Sequence, residues 1–173
     1  TMIEVRPEDL LVRPFHVLDE EWALLASGAE RPNLMTVSWG GLGTLWNRPV
    51  ATVYVRPVRY TFELLAALPE FTLNVLPARH RDALAYCGEH SGRDADKWAA
   101  TGLWPAAPSR VRVPRVAQAE LVLECRVLAT LDIDPERFLD PALHEQYPAR
   151  DYHRVFLGEV VAAAAAERFA RLP

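Results

Sequence analysis

Two arginines and a threonine lie within one short stretch of the sequence and carry side chains suited to phosphate: Arg56, Arg59 and Thr61. A guanidinium group presents a rigid fork of N–H donors to phosphate oxygens, and the start of a helix adds unpaired backbone N–H groups and a favourable dipole. The segment therefore predicts an anion site. A second interpretation stays open, in which Thr61 only caps a helix at Phe62–Leu68 while Glu63 and Glu70 pair with the arginines at the surface.

Two strand-like runs precede and position this anion segment. Asn33–Trp39 and Pro49–Val55 are rich in Val, Thr, Tyr and Trp and are bounded by Gly and Pro, which is typical of strands. Three glycines between the runs are predicted to form a tight connection: Gly40, Gly41 and Gly43. Since glycine has no Cβ, a flat ligand or another backbone can approach closely there, although an ordinary hairpin loop explains the same residues.

The rest of the chain is predicted to alternate short strands with helices. Period-two patterns or apolar runs predict four further strands: Trp22–Ala26, Phe71–Val75, Ala119–Thr130 and Arg154–Val161. Helices are predicted at Ala78–Tyr86, after an N-cap at Asp94, and in the alanine run Ala162–Ala166, with a Pro-broken helical insert at 132–146. Residues 104–118 are predicted to be the longest irregular connection, of the kind that is functional or packs against another subunit.

Composition limits the classes of protein that fit. The chain has 173 residues, of which 50% are hydrophobic and 24% charged, so residues 1–173 are predicted to form a single globular domain. A net charge of −4 gives no electrostatic reason to expect nucleic acid or a membrane surface as partner, and no apolar run is long enough to span a membrane. Cys87 and Cys125 form no C-x-x-C pair, and we expect a cytoplasmic protein with reduced thiols.

Nucleophilic and metal chemistry are not predicted. Cys87, His90 and Asp94 are the one local set with the residue types of a hydrolase, but Gly88 and Gly92 indicate a turn there, and no G-x-S-x-G motif occurs. The five histidines are scattered without metal-ligand spacing, so no metal site is expected. The lack of an acid–base set fits a protein whose cofactor carries the chemistry.

Four motifs, in matching order over nearly the whole chain, resemble those of one family. They are N-x-M-T-x-S-W-G-G-x-G-x-x-W at 33–46, R-P-x-R-Y-T-x-E at 56–63, C-G-x-x-S-G-R-D-x-D-K at 87–97 and Y-P-x-x-D-Y-H-R-x-F-x-G-E at 147–159. Together they resemble the flavin reductase-like proteins of the FMN-binding split-barrel group. The resemblance implies a mainly β fold, an antiparallel, Greek-key-like split β-barrel with a few peripheral helices. It also implies one noncovalent FMN per subunit and a homodimer with the flavin at the subunit interface.

The resemblance also implies where FMN contacts the chain. We expect the isoalloxazine against the backbone of residues 35–41, with Trp39 or Trp46 beside it, and the phosphate on the anion segment. The expected cofactor-binding residues are Met35, Thr36, Val37, Ser38, Trp39, Gly40, Gly41, Trp46, Arg56, Arg59, Thr61, Asn74, Ser91 and Lys97. Structural roles stay open for several: the tryptophans as core, Asn74 as a turn cap, and Ser91–Lys97 as a capped surface helix.

The expected activity is NAD(P)H-dependent flavin reduction, with NADH or NADPH as donor. The flavin is either a bound cofactor or a substrate supplied to a partner oxygenase or other electron acceptor. Asp151–Arg154 precedes the last strand and fits the rim of a nicotinamide pocket, with His153 as the residue expected near the reacting face, although a turn or a dimer contact explains the cluster equally. The alternative is an FMN-binding electron-transfer protein without pyridine-nucleotide activity of its own. The sequence does not separate the two, because no dinucleotide fingerprint is available to decide.

Overall fold

The computed structural model describes residues 1–170 and consists mainly of antiparallel strands. The strands are β1 Ile3–Val5, β2 Ala23–Ser27, β3 Asn33–Val37, β4 Gly40–Leu45, β5 Arg48–Val55, β6 Glu70–Val75, β7 Pro105–Ala106, β8 Arg115–Val116, β9 Leu121–Asp132 and β10 Arg154–Ala165. The α-helices are α1 Tyr60–Ala67, α2 Arg81–Glu89 and α3 Lys97–Thr101. Short 3₁₀ turns lie at Pro7–Asp9, Ala78–His80, Pro135–Arg137, Pro141–Gln146 and Glu167–Phe169.

The main sheet is curled but not closed. Its strands follow the order β3-β2-β6-β9-β10-β5-β4, and β1 adds to the end of β10. Consecutive strands β3 and β4 therefore lie at opposite ends of the hydrogen-bonded path, yet only Ser38 and Trp39 link them. The three Cα–Cα steps from Val37 to Gly40 span at most about 11 Å, so the two ends of the sheet must meet at this corner. The result is a barrel split between β3 and β4, as predicted.

The two faces of the sheet are buried against different partners. Side chains alternate between faces along a strand, and Leu25, Leu73 and Leu123 belong to the cluster that fills the barrel interior. Their neighbours Leu24 and Val122 belong to a second cluster outside the barrel, with α2 and part of the 104–118 segment. Strands β2, β6 and β9 are thus covered on both faces, and β2 pairs with the end strand β3.

The 104–118 segment packs against its own chain. Val111, Val113 and Val116 are buried in the outer cluster, and β7 pairs with β8 within the segment. The Glu124 carboxylate, itself fully buried, fixes the segment by accepting the backbone N–H groups of Ser109, Arg110 and Val111 at 2.8, 2.6 and 3.2 Å and the Nε of Arg115 at 2.5 Å. The sheet of the same subunit therefore supplies the packing surface for this connection.

The glycine-rich connection was predicted wrongly. The glycines at 40, 41 and 43 belong to β4, and the turn is the following pair Trp46-Asn47, with φ of 53° and 56°. Positive φ at two successive residues is typical of a two-residue hairpin turn whose twist matches its strands. A Cβ on Gly40 would lie 2.7 Å from the Thr52 carbonyl oxygen, so close approach by a neighbouring strand accounts for this glycine.

The alanine run was also predicted wrongly. Ala162–Ala165 end strand β10 as part of the sheet, and Ala163–Ala165 pair with β1 on one side and β9 on the other. These three alanines are at most 2% exposed. Sheet pairing on both edges overrides the helix propensity of alanine, because small side chains fit where a strand is enclosed on every side.

Smaller differences concern where helices begin. Helix α1 begins at Tyr60 rather than Phe62, and Asp96 rather than Asp94 caps α3 by accepting the N–H groups of Trp98 and Ala99. Residues 132–146 form the end of β9 and two 3₁₀ turns instead of a helix. Among residues 1–170, no helix has the length and apolar character needed to cross a membrane.

Candidate functional site

Two adjoining clefts lie beside β3 at the split of the barrel. The larger, of about 430 Å³, is the arginine cleft, and its polar lining includes Arg56, Arg59, Thr61, Ser91, Arg93 and Lys97. The smaller, of about 190 Å³, is the histidine cleft, which is lined by Met35–Trp39, Tyr54, Arg56, Arg59 and His153. Met35, Arg56 and Arg59 line both clefts, so the structure brings most of the residues predicted for the site together in one continuous depression.

The arginine cleft begins where β5 ends and α1 starts. Arg59 is the N-cap residue of α1, and no side chain caps this end of the helix. Thr61 therefore does not act as the predicted cap: it is buried, and its hydroxyl accepts the Nδ2 of Asn33 at 3.2 Å. The start of α1 therefore has no side-chain acceptor, and its residues Tyr60 and Thr61 line the arginine cleft, as a phosphate site at a helix start requires.

The two arginines of the anion segment differ in how many side-chain hydrogen bonds they make. Arg56 donates to Asp151 Oδ1 at 2.8 Å and to the Gln146 carbonyl at 2.9 Å, and its Cζ lies 4.8 Å from the centre of the Tyr147 ring. Arg59 is exposed, and its side chain makes one hydrogen bond within residues 1–170, from Nη1 to the Gly88 carbonyl at 3.2 Å. Arg59 thus has the more available guanidinium, while Arg56 holds residues 146–151 in place.

The acidic partners predicted for these arginines lie elsewhere. Glu63 pairs with Arg93, which also donates to the Val58 carbonyl, and Glu70 pairs with Arg112 and Arg126. The surface-pairing interpretation of the anion segment is therefore wrong. Four cationic side chains and two carboxylates line the arginine cleft, which gives it an excess of positive charge in a chain whose net charge is −4.

Lys97 forms the floor of the arginine cleft. It is 4% exposed, and its Nζ donates to the Leu34 carbonyl at 2.7 Å and to the Cys87 carbonyl at 2.9 Å. An ammonium group has three N–H donors, so one remains for a ligand. Burial lowers the pKa of Lys97, and the nearby Arg59 lowers it further. Gly92 brings the chain close to β3, since a Cβ there would clash with the side chain of Asn33.

The histidine cleft is an aromatic slot. His153 is 7% exposed, and its ring lies 5.5 Å from Trp39 and 6.4 Å from Tyr54 between ring centres. Its Nδ1 is 2.7 Å from the hydroxyl of Tyr147. Burial, together with the positive charge of Arg56, lowers the pKa of His153 to about 4, so the ring is neutral at pH 7.

Several predicted residues lie outside the clefts. The amide of Asn74 is fully buried, where it donates to the Leu24 carbonyl at 3.1 Å and accepts Val116 N–H at 2.9 Å, so its groups serve the fold. Gly40, Gly41 and Trp46 line neither cleft, and Trp46 is 57% exposed in its turn. Thr36 does line the histidine cleft, but its hydroxyl donates to the Leu84 carbonyl of α2.

The residues weighed for a hydrolase, Cys87, His90 and Asp94, do not lie together in the predicted turn. Cys87 lies inside α2 rather than in a turn, and burial raises the pKa of its thiol to about 11. Within residues 1–170, no group of three or more His, Cys, Asp or Glu side chains is arranged to hold a metal ion. Reasoning from the sequence missed Arg93, Tyr54 and Tyr147, although Arg93 and Tyr147 lie inside the quoted motifs and were therefore within reach.

Comparisons with solved structures give the same fold. An FMN-binding protein from Thermus thermophilus with bound p-hydroxybenzaldehyde is 25% identical, with a TM-score of 0.66 over 84% of this chain and 71% of that one. The Streptomyces globisporus C-1027 NADH:FAD oxidoreductase SgcE6 is 21% identical, with a TM-score of 0.65 over 88% of this chain and 86% of that one. Other flavin reductase-like structures, one described as a split barrel, match at a TM-score of 0.68. The predicted split-barrel fold is confirmed.

Sequence comparison reaches the same group. An uncharacterized protein of Archaeoglobus fulgidus is 28% identical over 122 residues, which cover 70% of this chain and 68% of that protein. The model of the flavin reductase like domain matches residues 21–172, which include both clefts and all four motifs quoted above. The chain therefore belongs to the flavin reductase-like domain family.

Proposed function

We propose that the chain binds one FMN in the joined clefts and uses it for NAD(P)H-dependent reduction. The observation that carries the proposal is the continuity of the two clefts: a positively charged arginine cleft and an aromatic slot share Met35, Arg56 and Arg59 beside the edge strand β3. FMN has the matching parts, a phosphate at one end and a flat ring at the other. Family membership and the FMN-binding structural relative support this assignment.

The arginine cleft suits a phosphate group. A phosphate monoester carries close to two negative charges at pH 7, and the cleft offers the guanidinium of Arg59, the remaining N–H of Lys97 and the uncapped start of α1. Ser91 also lines this cleft, with its hydroxyl accepting the N–H of Arg93 at 3.2 Å. Charge-assisted hydrogen bonds of this kind are the strong ones in proteins, and they bind the anion without a metal ion.

The histidine cleft suits a flat heteroaromatic ring. Strand β3 pairs with β2 alone within residues 1–170, so backbone groups on its outer edge have no strand partner. Residues 35–39 continue this edge along the slot, where N–H and C=O groups match the polar edge of an isoalloxazine. Trp39 and Tyr54 provide aromatic walls, and an offset or edge contact with a ring contributes about 0.5–1.5 kcal/mol beyond area burial.

A reductase also needs an electron donor and an acceptor. Bound FMN supplies the two-electron chemistry, and the protein supplies orientation and electrostatics. We assign the donor to the NADH or NADPH class, supported by the family description and by the NADH:FAD oxidoreductase among the structural relatives. His153 is the neutral group we expect beside the reacting ring. The acceptor is either free flavin, a partner oxygenase or another electron-transfer protein.

We further propose that the protein acts as a homodimer in a reducing, cytoplasmic compartment. Strand β4 pairs with β5 alone within residues 1–170, and Leu45 and Trp46 near its end are 38% and 57% exposed. A second subunit that covers this open edge would bury apolar surface and shield unpaired backbone groups. Both cysteines are free and buried, which agrees with reduced thiols. Light scattering of the flavin-loaded protein tests the dimer, and a monomeric mass would contradict it.

The test of the proposed function has two steps. Purified protein is expected to show flavin absorbance and to release FMN, identified by mass spectrometry, upon denaturation. Anaerobic addition of NADH or NADPH is then expected to bleach the flavin absorbance. Bleaching only by an added reduced protein or by dithionite would support the electron-transfer alternative. If FAD or no flavin is released, and added FMN does not bind, the FMN assignment is wrong.

A further inference from the structure

The hydroxyl of Tyr147 is the direct polar partner of His153. Tyr147 is 8% exposed, and its hydroxyl lies 2.7 Å from His153 Nδ1. Its ring is held from one side by the Arg56 guanidinium, whose Cζ lies 4.8 Å from the ring centre. Arg56 also bonds to Gln146 and Asp151 on the two sides of Tyr147. The phenol is therefore fixed in place before any ligand binds.

The protonation states of the pair follow from their surroundings. Burial raises the pKa of Tyr147, so the phenol keeps its proton at neutral pH. Burial lowers the pKa of His153 to about 4, with further lowering by Arg56 and Arg59 and an opposing effect of Asp151. Both groups are neutral at pH 7. Either the Tyr147 O–H donates to Nδ1, which leaves the imidazole proton on Nε2, or Nδ1–H donates to the Tyr147 oxygen. The direction of this hydrogen bond therefore sets the tautomer of His153.

The surroundings of the two groups select one tautomer. Within residues 1–170, Nδ1 of His153 is the one side-chain partner of the Tyr147 hydroxyl, so the buried O–H lacks an acceptor unless it donates to Nδ1. A buried donor without an acceptor costs about 1–3 kcal/mol. Nε2 of His153 makes no hydrogen bond within residues 1–170. It is also not one of the fully buried atoms there that lack a partner, so it must be in contact with solvent. His153 lines the histidine cleft, and its N–H is satisfied there by water or ligand.

We infer that Tyr147 is a positioning residue that fixes His153 as the Nε2–H tautomer, so that His153 offers a permanent N–H donor to the histidine cleft. This inference rests on the proposed function only for the identity of what accepts the hydrogen bond. A neutral N–H donor beside the flavin ring would stabilise the negative charge that the ring gains on reduction. The donor is ready before the reaction because the Tyr147–Arg56–Asp151 contacts hold it there.

The tautomer can be measured directly in the flavin-free protein. Long-range ¹H–¹⁵N NMR spectra of ¹⁵N-histidine-labelled protein distinguish Nε2–H, Nδ1–H and doubly protonated rings. The wild type is expected to show His153 as a single Nε2–H form at pH 7, with protonation only as the pH falls towards about 4. In Tyr147→Phe the signal is expected to become an average of the two neutral tautomers. An Nδ1–H ring in the wild type, or an unchanged Nε2–H ring in Tyr147→Phe, would overturn the inference.

Tyr152 provides a matched control. Its ring lies 4.8 Å from that of Tyr147, but within residues 1–170 its hydroxyl makes no hydrogen bond to His153. Tyr152→Phe removes the same atom from the same aromatic cluster and is expected to leave the His153 tautomer unchanged. If both phenylalanine variants alter the tautomer equally, general loosening of the cluster is responsible and the role assigned to the Tyr147 hydroxyl is wrong.

A second measurement uses the flavin-loaded protein. Tyr147→Phe is expected to slow NAD(P)H-driven bleaching by about twofold, because the averaged ring still offers Nε2–H for part of the time, while the Kd for FMN changes little. His153→Gln keeps an N–H donor near the position of Nε2 and is expected to retain more activity than His153→Asn, whose amide lies near Nδ1. Equal rates in these two variants would refute the assignment of Nε2 as the donor. If FMN fails to bind at all, the proposed function fails while the NMR result on Tyr147 still decides this inference.

Discussion

Arg59 offers the sharpest test of how the arginine cleft works. It lines both clefts and its side chain makes one hydrogen bond within residues 1–170, to a neutral carbonyl, so its guanidinium is free to bind a phosphate. Substitution Arg59→Ala should remove a charge-assisted hydrogen bond of about 1.5–3 kcal/mol. FMN affinity is then expected to fall by roughly tenfold to a hundredfold. Fluorescence titration of the flavin-free protein measures the Kd.

Riboflavin is the internal control because it has the ring of FMN and no phosphate. Its weaker binding is expected to change little in Arg59→Ala, and Arg59→Lys should recover only part of the FMN affinity, because an ammonium cannot reproduce the planar fork. Equal losses for FMN and riboflavin, or no loss for FMN, would refute the reasoning. The phosphate site would then lie nearer Ser91 and Lys97, on the other side of the cleft.

Arg56→Ala should behave differently, and this contrast comes from the structure. The sequence alone assigns Arg56 and Arg59 the same role, yet Arg56 is 22% exposed and is bonded to Asp151 and Gln146. Its removal leaves Asp151 unpaired and loosens the residues that carry Tyr147. We therefore expect Arg56→Ala to weaken the binding of both FMN and riboflavin. The fold loss in riboflavin affinity should be larger in Arg56→Ala than in Arg59→Ala. An Arg56→Ala variant that loses FMN selectively would show a direct phosphate contact instead.

Two further predictions concern stability and reactivity. Glu124→Gln removes a buried charge that holds the 104–118 segment, and it should destabilise the fold by about 3–5 kcal/mol in chemical denaturation. As a control, Asp132→Asn removes a charge from an exposed pair with Arg154 and should destabilise the fold by less than about 1 kcal/mol. Burial acts to raise the pKa of Glu124, but hydrogen bonds from Ser109, Arg110 and Arg115 outweigh it and lower the pKa. The contribution of Glu124 to the free energy of unfolding should therefore be present above about pH 4 and disappear as the pH falls through the folded-state pKa. Equal acid sensitivity of wild type and Glu124→Gln would contradict this. Burial raises the pKa of both Cys87 and Cys125, so neither thiol should react with a thiol reagent at pH 8 until the protein unfolds. Rapid labelling of the native protein would contradict this expectation.

Local patterns predicted the strands well, because a strand buried on one face has apolar residues at every second position and a strand buried on both faces has a continuous apolar run. Phe71–Val75 and Arg154–Val161 were located by their apolar residues, and the structure has them as Glu70–Val75 and the first part of Arg154–Ala165. The motif residues converge for a simple reason: β3, the end of β5 and the start of β10 all reach the same corner of the barrel. Residues of all four motifs therefore line the clefts at this corner, and their role in binding FMN stays a prediction.

Predictions failed where a long-range partner decides the structure. Nothing near Ala162–Ala165 in the sequence shows that β1 and β9 enclose these residues. Glu124 lies in a period-two pattern with Arg126, which suggests an exposed face, yet its carboxylate is fully buried because the 104–118 segment donates three backbone N–H groups to it. The prediction for Asn74 failed likewise, since two of its partners, the Leu24 carbonyl and the Val116 N–H, lie 50 and 42 residues away along the chain. Side-chain hydrogen bonds at such separations leave no periodic signal.

The position of the site follows from the incomplete barrel. A closed barrel would pair the outer edge of β3 with β4, and the backbone groups along 35–39 would then be satisfied by a strand. In this chain the Ser38–Trp39 link carries the chain from β3 to β4 without pairing the two strands, and β4 pairs with β5 alone within residues 1–170. Part of the open edge is covered by α2 and by Lys97, which bonds to the Leu34 carbonyl. What remains uncovered is the stretch beside His153 and Arg59, where a flat, polar-edged ligand can take the place of the missing strand.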